Sequence, residues 1–359
     1  MSGRIPRAFD DLGSRIRPGR VTVLYGPRRV GKTSLVQHYL SNAPGQILRA
    51  VGDDSVVRSQ LSSQNRSEIL AWAEDYDIIF LDEAQRVPGV GWALKMLIDA
   101  RPDLTVIATG SASFQLTGGL VEPLTGRQTL LNLYPVSVSE ILTVMSPQDL
   151  RPYMDNLLVF GMYPEVRMAS SRAHQQEILR ELVTAYLVKD ILKLEKLESS
   201  KVLLDLLALV AMQTGKIINL NELAQQVNLD VPTVRQCLDL LEKAFILVNV
   251  RGFSRNLRSE VTRTSKWYFY DVGLRNAFIN NFNPPAMRDD ATALWENFLV
   301  MERMKVLNYA DMVVPPRFWR AWEQQEMDLF GDRDGSLRPD LAHLDGQLGG
   351  FCGRVNNKC

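Results

Sequence analysis

The first third of the chain alternates apolar runs with segments of helical periodicity. Three runs are apolar at their centres, as in strands that are buried on both faces of a parallel sheet. They are "RVTVLY" (20–25), "YDIIFLDEAQ" (76–85) and "LTVIATGSAS" (104–113). After the first run, residues 32–43 place Leu35, Val36, Tyr39 and Leu40 at helical spacing. The alternation predicts an α/β domain over residues 1–146, with a parallel sheet and helices on both of its faces.

Residues 147–200 have a helical pattern and are predicted to form a helical linker or lid. Their longest apolar face carries Ile178, Leu182, Ala185, Leu187, Ile191 and Leu194.

Residues 201–285 predict a third unit. An apolar helix over 201–216 contains Lys and Asp, which favours a core helix over a membrane span. A short helix follows at 219–227, with Asn221 as its N-cap, and another at 232–244. Two strands, 245–250 and 266–273, are joined by a basic loop. Helices followed by a two-stranded hairpin predict a winged helix.

The last part of the chain loses its pattern. Residues 291–308 predict an amphipathic helix, and 317–330 predict two strands. "GDRDGSL" (331–337) is typical of a hairpin turn, but "RPDLAHLDGQLGG" after it combines Pro, a Gly pair and two Asp. We therefore expect residues 331–359 to form a divergent, poorly ordered tail.

Composition narrows the function classes. The 359 residues predict two or three domains, and 41 Lys plus Arg against 41 Asp plus Glu gives no overall electrostatic signal for nucleic acid. No apolar run is long enough to cross a bilayer, and the N-terminus has no secretion-type apolar segment, so we expect a cytoplasmic protein. Cys237, Cys352 and Cys359 have no metal-binding spacing, which argues against zinc chemistry.

The segment between the first strand and its helix fits G-x-x-x-x-G-K-[ST] in full, which predicts a loop that binds the phosphate chain of a nucleotide. Lys32 would neutralise the β- and γ-phosphates, and the Thr33 hydroxyl would ligate Mg²⁺. The candidate nucleotide-binding residues are Gly26, Pro27, Arg28, Arg29, Val30, Gly31, Lys32, Thr33 and Ser34.

Polar residues at the ends of later strands complete a candidate hydrolytic site. Asp82 ends an apolar strand and is predicted to face Mg²⁺, and the adjacent Glu83 is the candidate base for water. Ser111 follows the third strand and could hold the attacking water. Arg127 could reach a γ-phosphate in cis or from a neighbouring subunit of a homo-oligomer. The order of these elements predicts the additional-strand type of P-loop fold.

The motifs "GPRRVGKTSL", "IIFLDEAQ", "TGSAS", "LTGR" and "YPVSVSEIL" together resemble the AAA-like ATPases of bacteria and archaea that carry a C-terminal domain of unknown function. "LLVFGMYPEV", "YLVKDILKLEKL" and "KWYFYDVGLRN" extend the resemblance, which covers about residues 5 to 330. It implies ATP binding and hydrolysis, without a known substrate.

The resemblance also implies a nuclease-like α+β module, incomplete here over residues 286–330. Its matching acids are Glu296, Glu326 and Asp328. The strand that should carry acid-x-Lys has no counterpart, since Lys358 is the single lysine after residue 331. We therefore expect no metal-dependent nuclease activity.

The predicted winged helix offers a local basic surface for DNA, although many winged helices bind protein. The candidate DNA contacts are Arg235, Gln236, Arg251, Arg255, Arg258 and Arg263. On the predicted helix over residues 232–244, the core side should carry Val234, Cys237, Leu238 and Leu241. The negative charge of Asp239 on the same helix opposes contact with phosphate.

Three interpretations remain open. In the first, ATP hydrolysis is coupled to a winged helix that contacts DNA or a protein. In the second, a nucleotide-dependent switch or scaffold has negligible turnover. In the third, the chain is a DNA-binding effector with a degenerate nuclease-like module.

Overall fold

The structure is a computed structural model that describes residues 4–111, 123–186, 200–252 and 265–312, together with four short strands within 317–339. The chain divides into two compact units. The N-terminal unit is Pro6–Pro135, and the C-terminal unit is Val136–Cys359 together with Met1–Ile5.

A five-stranded parallel sheet forms the centre of the N-terminal unit. Its strands are β1 (Val21–Tyr25), β2 (Ile47–Val51), β3 (Ile78–Asp82), β4 (Thr105–Gly110) and β5 (Gln128–Asn132). They lie in the order β2-β3-β4-β1-β5, and every neighbouring pair is parallel. The predicted parallel α/β fold is confirmed. Strands β2 and β5 were not predicted from the sequence.

The described residues of this unit form five helices: α1 (Leu12–Arg15), α2 (Lys32–Leu40), α3 (Ser55–Ser62), α4 (Arg66–Trp72) and α5 (Val90–Ala100). A 3₁₀ turn spans Ala84–Arg86. Apolar residues of β1, β3 and β4 pack with the buried faces of α3, α4 and α5 to form one core. Asp54 and Asn65 cap α3 and α4 by accepting backbone N–H bonds, so the sequence marks where both helices begin.

The C-terminal unit begins with five helices: α6 (Val138–Ile141), α7 (Pro147–Leu150), α8 (Met154–Phe160), α9 (Pro164–Met168) and α10 (Arg172–Tyr186). A 3₁₀ turn over Arg151–Tyr153 joins α7 to α8. Ser137 and Glu140 form a capping box at the start of α6.

Next come α11 (Ser200–Met212), α12 (Leu220–Gln226) and α13 (Val231–Lys243), followed by the antiparallel strands β6 (Leu247–Gly252) and β7 (Ser265–Phe269). The side chain of Asn219 accepts from the N–H of Asn221 and caps α12. The prediction of Asn221 as the cap is therefore wrong by two residues.

Two further helices, α14 (Val272–Phe278) and α15 (Ala291–Tyr309), lie on either side of a 3₁₀ turn at Pro285–Met287. Strands β8 (Arg317–Arg320) and β9 (Glu326–Asp328) extend the hairpin into a sheet of order β7-β6-β8-β9. No helix among the described residues is long and apolar enough to cross a membrane.

Two short strands form a hairpin where the predicted tail begins, and the poor order of the tail stays a prediction. Strand β10 (Phe330–Arg333) pairs antiparallel with β11 (Ser336–Pro339), from Phe330 opposite Pro339 to Arg333 opposite Ser336. The chain between them is Asp334-Gly335, a dipeptide typical of two-residue hairpins, and this local signal prevails over the weak strand propensity that follows. Residues 340–359 lie outside the described residues.

Candidate nucleotide site

The loop between β1 and α2 requires glycine at both of its ends. Gly26 has φ +144°, and a Cβ there would lie 2.2 Å from the carbonyl oxygen of Leu133. Gly31 has φ +93° and directly precedes α2. Because these conformations strain other residues, the two glycines let the backbone curl closely before the helix N-terminus. The first turn of that helix has N–H groups without intrahelical acceptors, so the loop forms a cradle suited to phosphate.

Lys32 is buried at the start of α2 with its amine turned onto the loop. Nζ donates to the carbonyl oxygens of Gly26 at 3.0 Å and Pro27 at 2.6 Å. The ammonium therefore lies where the loop would hold an anion.

Thr33 meets the end of the neighbouring acidic strand. Its Oγ1 lies 3.1 Å and 3.0 Å from the two carboxylate oxygens of Asp82. Thr109, at the end of β4, also donates its hydroxyl to Asp82. This contact follows from the strand order, because β4 lies between β1 and β3. The strand ends thus bring together hydroxyl and carboxylate oxygens, which are the ligands that Mg²⁺ prefers.

Glu83 is separated from Asp82 by a sharp change in backbone direction. It adopts a left-handed conformation with φ 52°, and its N–H donates to Thr109 Oγ1 at 3.1 Å. Its carboxylate accepts from the Gln85 amide, which also donates to Ser111 Oγ at 3.1 Å. Glu83, Gln85 and Ser111 therefore form one hydrogen-bonded group.

Sequence reasoning missed Gln85, which stands in the same motif, "LDEAQ", as the two acids. Its position two residues after the candidate base was the available signal. The contact with Ser111 depends on the fold and could not be anticipated from spacing.

Arg127 does not join this site within its own chain. Its carbonyl accepts from the N–H of Val21, the first residue of β1, whereas the phosphate loop follows the last residue of that strand. Four residue steps of a strand separate these ends by about 13 Å. The guanidinium forms an exposed ion pair with Asp99 at 2.7 Å. The prediction of a contact in cis is therefore wrong, and contact from a neighbouring subunit stays a prediction.

On α13 the predicted inward residues Val234, Cys237, Leu238 and Leu241 are all buried. Arg235, Gln236 and Asp239 are exposed, as is Arg251 near the end of β6. The other candidate contacts, Arg255, Arg258 and Arg263, lie outside the described residues.

The three acids of the predicted nuclease-like module lie on two different elements, α15 and β9. Glu296 on α15 accepts from the Tyr268 hydroxyl at 2.5 Å and lies 3.7 Å from the Lys266 amine. It thereby ties α15 to β7. Glu326 and Asp328 stand at the two ends of β9. Across the described part of the chain, no three His, Cys, Asp or Glu side chains cluster as metal ligands.

Comparison with known proteins identifies two regions. Residues 18–142 match a family model described as an AAA domain. Residues 151–284 match a model described as Domain of unknown function (DUF8612).

Uncharacterized proteins of Mycobacterium tuberculosis and Mycobacterium bovis are each 26% identical over 319 residues, covering 88% of this chain and 68% of the relative. An uncharacterized protein of Methanocaldococcus jannaschii is 22% identical over 282 residues, covering 73% of this chain and 63% of its own. Among solved structures, a Walker-type ATPase of Pyrococcus abyssi aligns with a TM-score of 0.48 at 17% identity, covering 76% of this chain and 93% of its own.

The AAA match covers β1 through β5, the phosphate loop and both strand-end acids. The matched region therefore contains every residue of the candidate nucleotide site described above. The chain therefore contains an AAA-like domain over residues 18–142, followed by a region similar to a domain of unknown function.

Proposed function

We propose that the N-terminal unit binds Mg²⁺ and ATP and hydrolyses the nucleotide with Glu83 as the base. The observation that carries this proposal is the meeting of Thr33, Asp82 and Glu83 where the sheet ends beside the phosphate loop. A phosphate-binding loop alone would account for nucleotide binding without hydrolysis. A second carboxylate beside it favours hydrolysis.

The residues present fit the two cofactors. The loop of Gly26 to Gly31 and the first turn of α2 would hold the phosphates, with Lys32 neutralising their charge. Thr33 and Asp82 would hold Mg²⁺, which when bound neutralises charge on the phosphate oxygens.

The hydrogen bonds of Glu83 support its proposed role as the base. Its own N–H and its carboxylate are both held, by Thr109 and Gln85 respectively, so the side chain is fixed relative to the end of the sheet. Ser111 shares Gln85 with it and supplies a hydroxyl that could orient the water. Transfer of one proton from water to the carboxylate generates the attacking hydroxide.

Two substitutions test this assignment. Lys32→Ala should abolish ATP binding. Glu83→Gln should retain binding and lower turnover by at least ~10²-fold, the usual effect of losing a general base. Equilibrium binding and single-turnover hydrolysis on the same preparations separate the two steps. Equal turnover of Glu83→Gln and wild type would contradict the role of Glu83. Binding without any turnover in wild type would favour the nucleotide switch.

We further propose that residues 200–269 act as a winged helix that contacts DNA or a protein partner, under the control of the nucleotide cycle. Three helices, α11 to α13, precede the β6–β7 hairpin, and an isolated antiparallel bridge joins Ile217 to Lys266 of β7. The exposed Arg235 and Arg251 support DNA, and the exposed Asp239 supports protein. Measuring the affinity for duplex DNA with and without ATP tests the coupling.

A further inference from the structure

A cavity of about 320 Å³ lies in the C-terminal unit, apart from the phosphate loop. Its lining includes the apolar residues Ile141, Leu150 and Leu157. It also includes the polar residues Asn156, Arg167 and Gln175. An apolar lining with a few polar groups is typical of small-molecule sites.

Arg167 is the unusual member of this lining. Its Nη1 donates to Asn156 Oδ1 at 2.7 Å, and Asn156 is held in turn by the amide of Gln175. Nε and Nη2 of Arg167 are both buried, and neither has a hydrogen-bond partner among the described residues. These two nitrogens share one edge of the guanidinium. In proteins generally, such an edge can donate two parallel hydrogen bonds to one carboxylate.

The charge of Arg167 lacks a close counter-ion. Burial lowers the pKa of this guanidinium to about 10, so it is still charged at neutral pH. Asp271 is the acid whose charge acts on it, but the carboxylate oxygens of Asp271 accept from the N–H groups of Met162 at 2.6 Å and Leu274 at 3.1 Å. In the described part of the chain, no carboxylate lies within ion-pair distance of Arg167. A buried, unpaired cation is costly, and an anion supplied from outside would offset that cost.

A helix N-terminus adds to the positive potential. Ser170, Ser171 and Arg172 line the cavity where α10 begins, and α10 runs for 15 residues. Ser171 Oγ accepts from the N–H of His174, and the positive end of the helix dipole lies at this end of α10.

We propose that this cavity binds a carboxylate that is attached to a short apolar body. The carboxylate would pair with the guanidinium of Arg167, and the apolar body would lie along Ile141, Leu150 and Leu157. A free carboxylic acid and the C-terminus of a peptide share this chemistry. The ATPase assignment does not enter the argument.

Calorimetric titration of the full chain without nucleotide tests the proposal, with hexanoate as the probe. Hexanol and inorganic phosphate serve as comparisons. Hexanol keeps the apolar chain without the charge, and phosphate keeps a negative charge without the apolar chain. We expect saturable binding of one hexanoate, with hexanol and phosphate each at least ~10-fold weaker because they lose the charged pair or the apolar contact. No saturable binding at ~10 mM, ten times the Kd of a weak 1 mM ligand, would overturn the proposal. Equal binding of either comparison compound would also overturn it.

Two variants locate the site. Asn156→Asp keeps the shape of the side chain that holds Nη1 and supplies a carboxylate to Arg167, so hexanoate should bind at least ~10-fold more weakly. Arg167→Met should abolish hexanoate binding. If Arg167→Met does not fold, Asn156→Asp alone tests the site. Unchanged affinity in Asn156→Asp would place the ligand elsewhere and reject the assignment. A short apolar peptide with a free C-terminus, compared with its amide, distinguishes a peptide from a free acid as the source of the carboxylate.

Discussion

Two adjacent carboxylates at the end of β3 have different surroundings. Asp82 accepts from the hydroxyls of Thr33 and Thr109, whereas Glu83 turns through a left-handed conformation and accepts from Gln85. A left-handed non-glycine residue costs free energy, and such residues occur at functional sites. The turn gives the two carboxylates different surroundings, which fits the proposed roles of Asp82 as a Mg²⁺ ligand and Glu83 as the base.

Replacing Gln85 tests whether the orientation of Glu83 matters. Gln85→Leu removes the donor shared by Glu83 and Ser111 and leaves the phosphate loop unaltered. Turnover should fall about 10- to 100-fold, as for a small misplacement of a catalytic group, while ATP affinity is retained. Steady-state hydrolysis and equilibrium binding measure the two effects. Gln37→Leu, at an exposed glutamine of α2, is the matched control. Equal turnover in both variants would mean that Gln85 does not position the base.

The phosphate loop and its acids were predictable because their chemistry is local in sequence. Lys32 and Thr33 are fixed by one motif, and Asp82 by the end of one strand. The contacts of Thr109 and the position of Arg127 depend on strand order instead. Placing β4 beside β3 brings Thr109 to Asp82, and pairing β5 with β1 takes Arg127 to the opposite end of the sheet. The spacing of residues along the sequence does not show which strands lie next to each other in the sheet.

At the scale of elements, strongly apolar strands were found and mixed ones were missed. Strand β2 contains Arg49 and is partly exposed along most of its length, so it lacks the apolar run that reveals β3. Its place in the sheet is set by pairing with β3. The hairpin of β10 and β11 depends on its turn residues more than on its strands, and hydrophobic patterning gives such elements little weight.

The hairpin of β6 and β7 provides the test for DNA. Its connecting loop carries Arg255 and Arg258. If both contact phosphate, replacing them together with Gln should lower the slope of log affinity against log salt by about two. Fluorescence anisotropy with a duplex at several salt concentrations measures the slope. Arg58 and Arg66, which are exposed in the N-terminal unit, replaced together with Gln provide a control of equal charge. Duplex binding that is undetectable at low salt would favour a protein partner.

At the scale of the whole molecule, the interiors contain an aliphatic core in one unit and a buried ion pair in the other. The N-terminal core is built from aliphatic residues of the sheet and its helices. The C-terminal unit also buries charge: Lys305 donates to Glu302 at 2.6 Å, and Glu302 accepts from the N–H of Val138 at 2.7 Å. Buried pairs of this kind are costly to break because one partner is left unpaired. Periodicity in the sequence does not show which charges are interior.

Asp290 joins helices of the C-terminal unit through two arginines. Its carboxylate accepts from Arg288 Nε at 2.7 Å and from Arg275 Nη1 at 2.5 Å. Arg275 is almost fully buried and also donates to the Ala211 carbonyl at the end of α11. The hydrogen bond from Arg288, with further help from Arg275, holds the pKa of Asp290 well below its usual range. Because the folded pKa is depressed, this carboxylate stabilises the fold above the unfolded pKa of about 3.9, and that contribution is lost as the pH falls below it.

Asp290→Asn should therefore destabilise the C-terminal unit at neutral pH. Asparagine preserves the size of the side chain and an acceptor oxygen, but it leaves the buried Arg275 without its counter-ion. A loss of about 3 kcal/mol in the free energy of unfolding is expected, at the lower end of the cost of an unpaired buried charge. Denaturant unfolding from pH 7 to pH 3 measures it, with the exposed neighbour Asp289→Asn as the control. The difference between wild type and Asp290→Asn should narrow below about pH 4, where the wild-type carboxylate begins to lose its contribution. A difference that stays constant across this range would show that the variant acts through packing and not through the charge of Asp290.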